Sequence, residues 1–186
     1  MVFVVNASGL EWLPGVRHQP SPFHNDRPLV PLDMLVIHCI SLPRGEYGTG
    51  YVNNLFLGCL DCSAHESFSS LAGLEVSAHF LIERSGLVTQ FVPLDKRAWH
   101  AGLSCFQERE GINDYSIGIE LEGTDDSPFT DAQYESLAAL TRQLRDIVSI
   151  PDDHIVGHSD IAPGRKSDPG AGFDWGRYRK LLERCL

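Results

Sequence analysis

Two hydrophobic periods divide the chain into strands and helices. Met34-Leu-Val-Ile-His38 is a short apolar, β-branched run and reads as a buried strand ending at a histidine. Residues 77–84 alternate enough for a second strand; Ser85-Gly86 turns the chain, and residues 87–92 return beside it. Residues 116–121 form another strand, and the isolated Gly118 within it predicts close approach of a neighbouring group. Leu137, Leu140, Thr141, Leu144 and Val148 recur at helical spacing behind the N-cap Thr130, which predicts a long helix over residues 131–148 that stops before Pro151. Short helices are expected over residues 51–60 and 63–71, a strand-like piece over 154–157 and a closing helix over 173–185.

Between these elements the polar, Gly/Pro-rich stretches read as loops. Pro14, Pro20, Pro22, Pro28 and Pro31 mark residues 1–32 as an irregular N-terminal arm wrapping the surface. Residues 41–50, 99–114 and 159–172 are expected as loops, the last of them rich in turns. No internal repeat or low-complexity tract interrupts the pattern. Strands mixed with helices predict an α/β (α+β) fold in which one sheet is covered by helices, within a single domain spanning residues 1–186.

Composition narrows the partners. A chain that is 42% hydrophobic and 22% charged is globular rather than disordered. A net charge of -10 and a pI near 5.1 oppose nucleic acid or an anionic polymer and suit a small diffusible substrate. The first fifteen residues lack the basic region of a secretory signal, and no run is apolar enough to span a membrane. Five cysteines is an odd count, better explained by free thiols in a reducing cytoplasm than by disulfides. Cys59-Leu-Asp-Cys62 has no second cysteine pair to complete a metal site.

Of the eight histidines, four stand out by position: His38 ends a strand, His79 lies inside one, His100 opens a loop beside Trp99, and His158 ends the short strand before a turn-rich segment. Gly157-His-Ser-Asp-Ile-Ala-Pro-Gly-Arg-Lys-Ser-Asp-Pro-Gly170 places His158, Lys166 and Asp168 together. Imidazole and carboxylate are ordinary zinc ligands, and three protein ligands plus a water define a catalytic site, so a third ligand is required; His38 is the best candidate. The same residues also fit a plainer reading, with His158 capping a strand and Asp168 making a turn before Pro169. A helical His154/His158 pair is disfavoured by Pro151 and by β-branched Ile155 and Val156.

The segments Ile37-His38, Ser77-Ala-His79, Trp99-His-Ala-Gly102, Asn113-Asp-Tyr-Ser-Ile-Gly-Ile-Glu-Leu-Glu122 and 157–170 occur in the order and spacing of the zinc N-acetylmuramoyl-L-alanine amidases. From about Pro20 to Tyr178 the chain resembles their cytoplasmic subgroup, the 1,6-anhydro-N-acetylmuramyl-L-alanine amidases of wall recycling. Asp168 supports that subgroup, because many other relatives carry cysteine there. The resemblance implies a central mixed β-sheet flanked by helices, a Zn2+ ion held by His38, His158 and Asp168, Glu120 as catalytic glutamate, and Lys166 as the group stabilising the reacting oxygen. It further implies a small muropeptide substrate and a cytoplasmic location; the acidic charge and the lack of a long apolar run lead to the expectation of no nucleic-acid or membrane partner, and a monomer is expected.

Trp99, His100, Arg109 and Arg165 are candidate substrate-binding residues, although His79 and His100 also fit a bracing role and Trp99 a core one. Strand alternation puts Glu122 on the face of Glu120, and Glu122 is expected to be the plain surface residue of the two. Cys39 replaces the asparagine common in the subgroup, and Glu75 and Gly111 stand where arginines can occur. An amidase acting on intact peptidoglycan and a non-catalytic peptidoglycan-binding module are the alternatives.

Overall fold

The computed structural model describes residues 11–184. Its centre is a six-stranded mixed sheet of order β1-β5-β4-β9-β3-β10, built from β1 (Arg17–His18), β3 (Met34–Ile40), β4 (Phe80–Ile82), β5 (Val88–Gln90), β9 (Ser116–Glu122) and β10 (Ile155–Gly157). The β4–β5 hairpin is antiparallel; the other neighbours run parallel. The central strands β3 and β9 are the longest and pair from Met34 with Ser116 through Ile40 with Glu122.

Alternation along these strands separates a packing face from a chemical face. Leu35, Ile37, Phe80, Ile82, Ile117, Ile119 and Leu121 share one apolar cluster with Tyr134, Leu137, Leu140 and Leu144 of helix α2 (Asp131–Arg145) and Tyr178 of α4 (Trp175–Leu182). Burying each such side chain contributes roughly 1.5–3 kcal/mol. Helix α2 starts where Thr130 predicts: Thr130 Oγ1 accepts from Gln133 N at 3.1 Å and Gln133 Oε1 accepts from Thr130 N at 3.1 Å, a full capping box. The Gln133 amide also donates to the carbonyls of Ile82 and Glu122, which locks the helix start to two strand ends. The alternate set, Ser116, Gly118, Glu120 and Glu122 with Val36 and His38, faces the other way.

Smaller elements close that second face. Helix α1 (Tyr51–Phe56) lies in the first predicted short helix, and the second is a 3-10 helix over Glu66–Leu71. The closing helix ends at Leu182, and the expected Cys185 end lies outside the described residues, as do residues 1–10 of the arm.

Three expectations need correction. The arm is not uniformly irregular: besides β1, its strand β2 (His24–Asp26) pairs antiparallel with β6 (Lys96–Ala98). Arg27 anchors it, donating to the carbonyls of Asn113, Asp114 and Lys96 at 2.7–3.0 Å. The expected loop over 99–114 holds a small hairpin, β7 (Cys105–Phe106) with β8 (Arg109–Glu110), turned by Gln107 and Glu108 at φ 47 and 65. His158 does not end a strand; it opens the helical turn α3 (His158–Ile161), because the Asp160 carboxylate accepts from Gly157 N at 2.7 Å and starts a helix there.

Candidate metal and active site

Strand pairing builds the first half of the site. In the β3–β9 register His38 lies directly opposite Glu120, both on the face away from α2. The parallel pairing of β10 with β3 then delivers α3 beside His38, with His158 at its first position. Asp168 is brought back by a turn-rich loop, where Ser159 N donates to Asp168 O at 2.9 Å. That loop is held from outside. Ser167 Oγ donates to Asp125 Oδ2 at 2.6 Å, Arg44 donates to Asp125 Oδ1 at 2.7 Å, and Gly172 N donates to Asp125 O at 3.1 Å.

The three side chains converge tightly. His38 Nδ1 and His158 Nδ1 are 2.9 Å apart, and Asp168 Oδ2 lies 3.2 Å from the first and 3.1 Å from the second. Both histidines are almost fully buried. Three lone-pair-bearing atoms in one small triangle, from two imidazoles and a carboxylate, form a cluster among the described residues that could hold a metal ion. Each imidazole is oriented through its other nitrogen: His158 Nε2 donates to Ala101 O at 3.1 Å, and His38 Nε2 meets His100 Nδ1 at 2.9 Å.

Electrostatics follow from burial and crowding. Burial pushes the His38 imidazole down to about 4, in spite of Asp168 beside it. Burial works to raise the Asp168 carboxyl, but hydrogen bonds from His158 and His38 outweigh it and hold it below the ordinary carboxylate range. Glu120 is pushed well above that range by burial and then by Asp168, with Lys166 opposing. Its Oε2 is buried without a hydrogen-bond partner. A buried carboxylate oxygen without a partner is costly, and beside a cluster able to hold a metal it makes Glu120 a candidate for proton transfer.

Lys166 is exposed, joins no ion pair among the described residues, and lines a cavity of about 300 Å³ with Cys39, Arg44, Asp125, Arg165 and Asp168. A free ammonium beside a cluster able to hold a metal can stabilise an anionic oxygen. Cys39 itself packs toward the helix layer, and burial raises its thiol pKa.

The remaining candidates separate. Arg165 lines the cavity while donating to Ala101 O at 2.8 Å. Arg109 is turned elsewhere, holding both carboxylate oxygens of Asp33 at 3.0–3.1 Å and lying over Tyr115. Trp99 is bound to the arm through Nε1 to Asn25 and stacks on Phe23. Both ring nitrogens of His100 are engaged, with His38 and with Ser116. His79 accepts from Gly118 N at 3.0 Å, the bracing arrangement.

Glu122 is a correction. It is buried, its carboxylate accepts from Gly48 N at 2.6 Å and Arg84 N at 3.1 Å, and it joins two loops rather than facing solvent. Sequence reasoning also passed over Ser116 and Asn113. Alternation from Glu120 back through Gly118 placed Ser116 on the chemical face, and that signal was available. Asn113 Oδ1 accepts from both His100 N and Ala101 N, a loop contact with no sequence period.

Comparison with known proteins agrees with this geometry. A family model for N-acetylmuramoyl-L-alanine amidase matches residues 28–171. The 1,6-anhydro-N-acetylmuramyl-L-alanine amidase AmpD of Enterobacter cloacae is 54% identical over 172 residues, 92% of each chain. A selenomethionine derivative of AmpD has a crystal structure similar to this one at a TM-score of 0.90 and 50% identity, covering 94% of this chain and 98% of that one. AmiD of E. coli, in complex with anhydro-N-acetylmuramic acid-L-Ala-D-gamma-Glu-L-Lys, is similar at a TM-score of 0.60 and 30% identity, covering 81% of this chain and 57% of that one. With its motifs, its sheet and its His-His-Asp cluster all in agreement, the chain belongs to the N-acetylmuramoyl-L-alanine amidase family.

Proposed function

We propose that this chain is a zinc-dependent amidase that cleaves the bond between (1,6-anhydro-)N-acetylmuramic acid and L-alanine in small muropeptides released from the wall. The observation that carries the reading is the ligand triangle with the unpartnered Glu120 carboxylate beside it. Zinc bonds of about 2.0–2.1 Å in tetrahedral geometry space the ligand atoms about 3.3 Å apart. The observed separations of 2.9, 3.1 and 3.2 Å fit that spacing with only a small opening of the triangle. His38, His158 and Asp168 are therefore the proposed zinc ligands, and the face away from them stays open to water and substrate. Zinc, when bound, supplies a Lewis acid that polarises the lactyl carbonyl and acidifies water.

The protein supplies proton transfer and charge. Glu120, half-buried with its Oε2 covered and raised in pKa, takes the proton of the attacking water and passes it to the departing alanine nitrogen. Lys166 faces the cavity and holds the negative oxygen that develops at the carbonyl. Arg165, on the same rim, is placed to meet an anionic group of the peptide stem.

The substrate follows from charge and kinship. An acidic protein suits a small, diffusible muropeptide, and the related AmiD structure carries an anhydromuramyl peptide. Among the described residues no helix is long and apolar enough to cross a membrane. We infer a monomeric, single-domain enzyme of the cytoplasm, where free thiols such as Cys59 and Cys105 persist.

Mass spectrometry of a defined anhydromuramyl peptide incubated with the protein tests the reading. Anhydromuramic acid and the free peptide are expected, and a chelator should abolish both. Turnover of intact sacculi in preference to the soluble peptide would overturn the recycling assignment, and cleavage unaffected by metal removal would overturn the zinc chemistry.

A further inference from the structure

A metal triangle works only if each imidazole presents an unprotonated Nδ1. For His158 this is settled locally, because its Nε2 meets a carbonyl, Ala101 O, which can only accept. For His38 the partner is another imidazole, and the pair alone sets no direction.

The direction is set two groups away. Ser116 Oγ lies 2.7 Å from the Ile112 carbonyl, and the single hydroxyl proton goes there. Toward His100 Nε2, at 3.2 Å, Ser116 Oγ must then accept, so His100 carries its proton on Nε2. His100 Nδ1 keeps its lone pair and faces His38 Nε2 at 2.9 Å, so His38 must donate. That leaves His38 Nδ1 bare, pointing at His158 and Asp168.

We propose that Ser116 and His100 form a hydrogen-bond relay, anchored on the Ile112 carbonyl, that sets the tautomer and orientation of the metal ligand His38. The proposal deepens the metal site put forward above and rests on it. Ser116 and His100 are positioning residues, acting through His38.

The packing around the relay is built to hold it. Ser116 is fully buried at the start of β9. Two residues on, Gly118 leaves the space that the His100 ring fills; a Cβ there would lie 2.4 Å from His100 Cγ. Asn113 Oδ1 accepts from His100 N at 3.2 Å and Ala101 N at 2.8 Å. One pinned dipeptide therefore orients both imidazole ligands, His38 through the ring of His100 and His158 through the carbonyl of Ala101.

The test has two arms on the zinc-loaded protein. In wild type labelled with 15N-histidine, long-range nitrogen–proton correlation should show His100 neutral with its proton on Nε2. A proton on His100 Nδ1, or a charged His100 ring, would overturn the relay without any variant. In the second arm, zinc affinity is measured by chelator competition. Ser116→Ala and His100→Phe should weaken it about tenfold to a hundredfold. His100→Asn, whose amide oxygen can replace Nδ1 as acceptor, should recover part of the loss. Unchanged affinity in folded Ser116→Ala and His100→Phe removes the relay and leaves the metal site standing. Wild type that binds no zinc removes the metal site, and the relay with it.

Discussion

Gly118→Ala is the sharpest single perturbation of this site. The added Cβ would meet His100 Cγ at 2.4 Å and Cδ2 and Nδ1 at 2.6 Å. The Gly118 backbone lies outside the left-handed region, so the substitution acts through space and not through φ. Ordinary carbon contacts begin near 3.5 Å, so the ring has to retreat by roughly 1 Å. Such a shift breaks the 2.9 Å contact with His38 or the 3.2 Å contact with Ser116. Overpacking of about 1–3 kcal/mol plus a lost hydrogen bond of about 1 kcal/mol gives a destabilisation of about 2–4 kcal/mol. Urea unfolding at a fixed excess of zinc measures it, with chelator competition reporting the metal. Gly176→Ala in α4 is the comparison: its Cβ meets Asp174 Oδ1 at 3.3 Å, the oxygen that caps α4 by accepting from Arg177 N at 2.9 Å, so a gain in helix propensity is set against a disturbed cap and the net change should stay within about 1 kcal/mol. Gly118→Ala with stability within about 0.5 kcal/mol of wild type and undiminished zinc affinity would refute the reasoning.

Lys166→Ala should keep its zinc and lose turnover about a hundredfold to a thousandfold, measured as product release; near wild-type turnover would take Lys166 out of the mechanism. Glu120→Ala should be folded, metal-loaded and inactive, and no less stable than wild type, because it removes a carboxylate with a buried, unpartnered oxygen; calorimetry with metal analysis checks this. Glu122→Ala removes the hydrogen bonds to Gly48 N and Arg84 N; because Gly48 is exposed and its N–H can turn to water, urea unfolding should show a loss of about 1–3 kcal/mol. Burial and then the Arg27 charge hold His79 far below its ordinary value of 6.5, so only the unfolded chain takes up a proton there as pH falls. The His79 contribution is therefore complete above pH 6.5 and declines below it, and His79→Gln should flatten that part of the stability–pH curve.

Local pattern made much of this legible. The continuous apolar run at Met34 is a strand buried on both faces, and the stripe from Leu137 to Leu144 a helix buried on one; both elements form, the strand running past His38 to Ile40 and the helix stopping at Arg145 rather than 148. Gly118 announced a close neighbour, and the neighbour is His100. The candidate metal triangle rests on resemblance in the sequence, where local pattern makes His38 only the best candidate for a third ligand; in the fold the β3–β10 pairing brings His38 beside His158. What stayed hidden depends on partners distant in sequence. The two-residue strands Cys105–Phe106 and Arg109–Glu110 are too short to show a period. Glu122 looked like a surface carboxylate because its two backbone donors come from residues 48 and 84.

The register that sets His38 opposite Glu120 has a consequence for how the enzyme comes into being. A slip of one residue between β3 and β9 would turn one of these side chains into the oily layer beneath α2 and leave the other alone. If His38 and Glu120 act as proposed, a slipped form loses both contributions at once. On the proposed roles of His38 and Glu120, the return of amide cleavage during refolding would report that the two longest strands have found their correct alignment, which neither helical circular dichroism nor the burial of tryptophan can show.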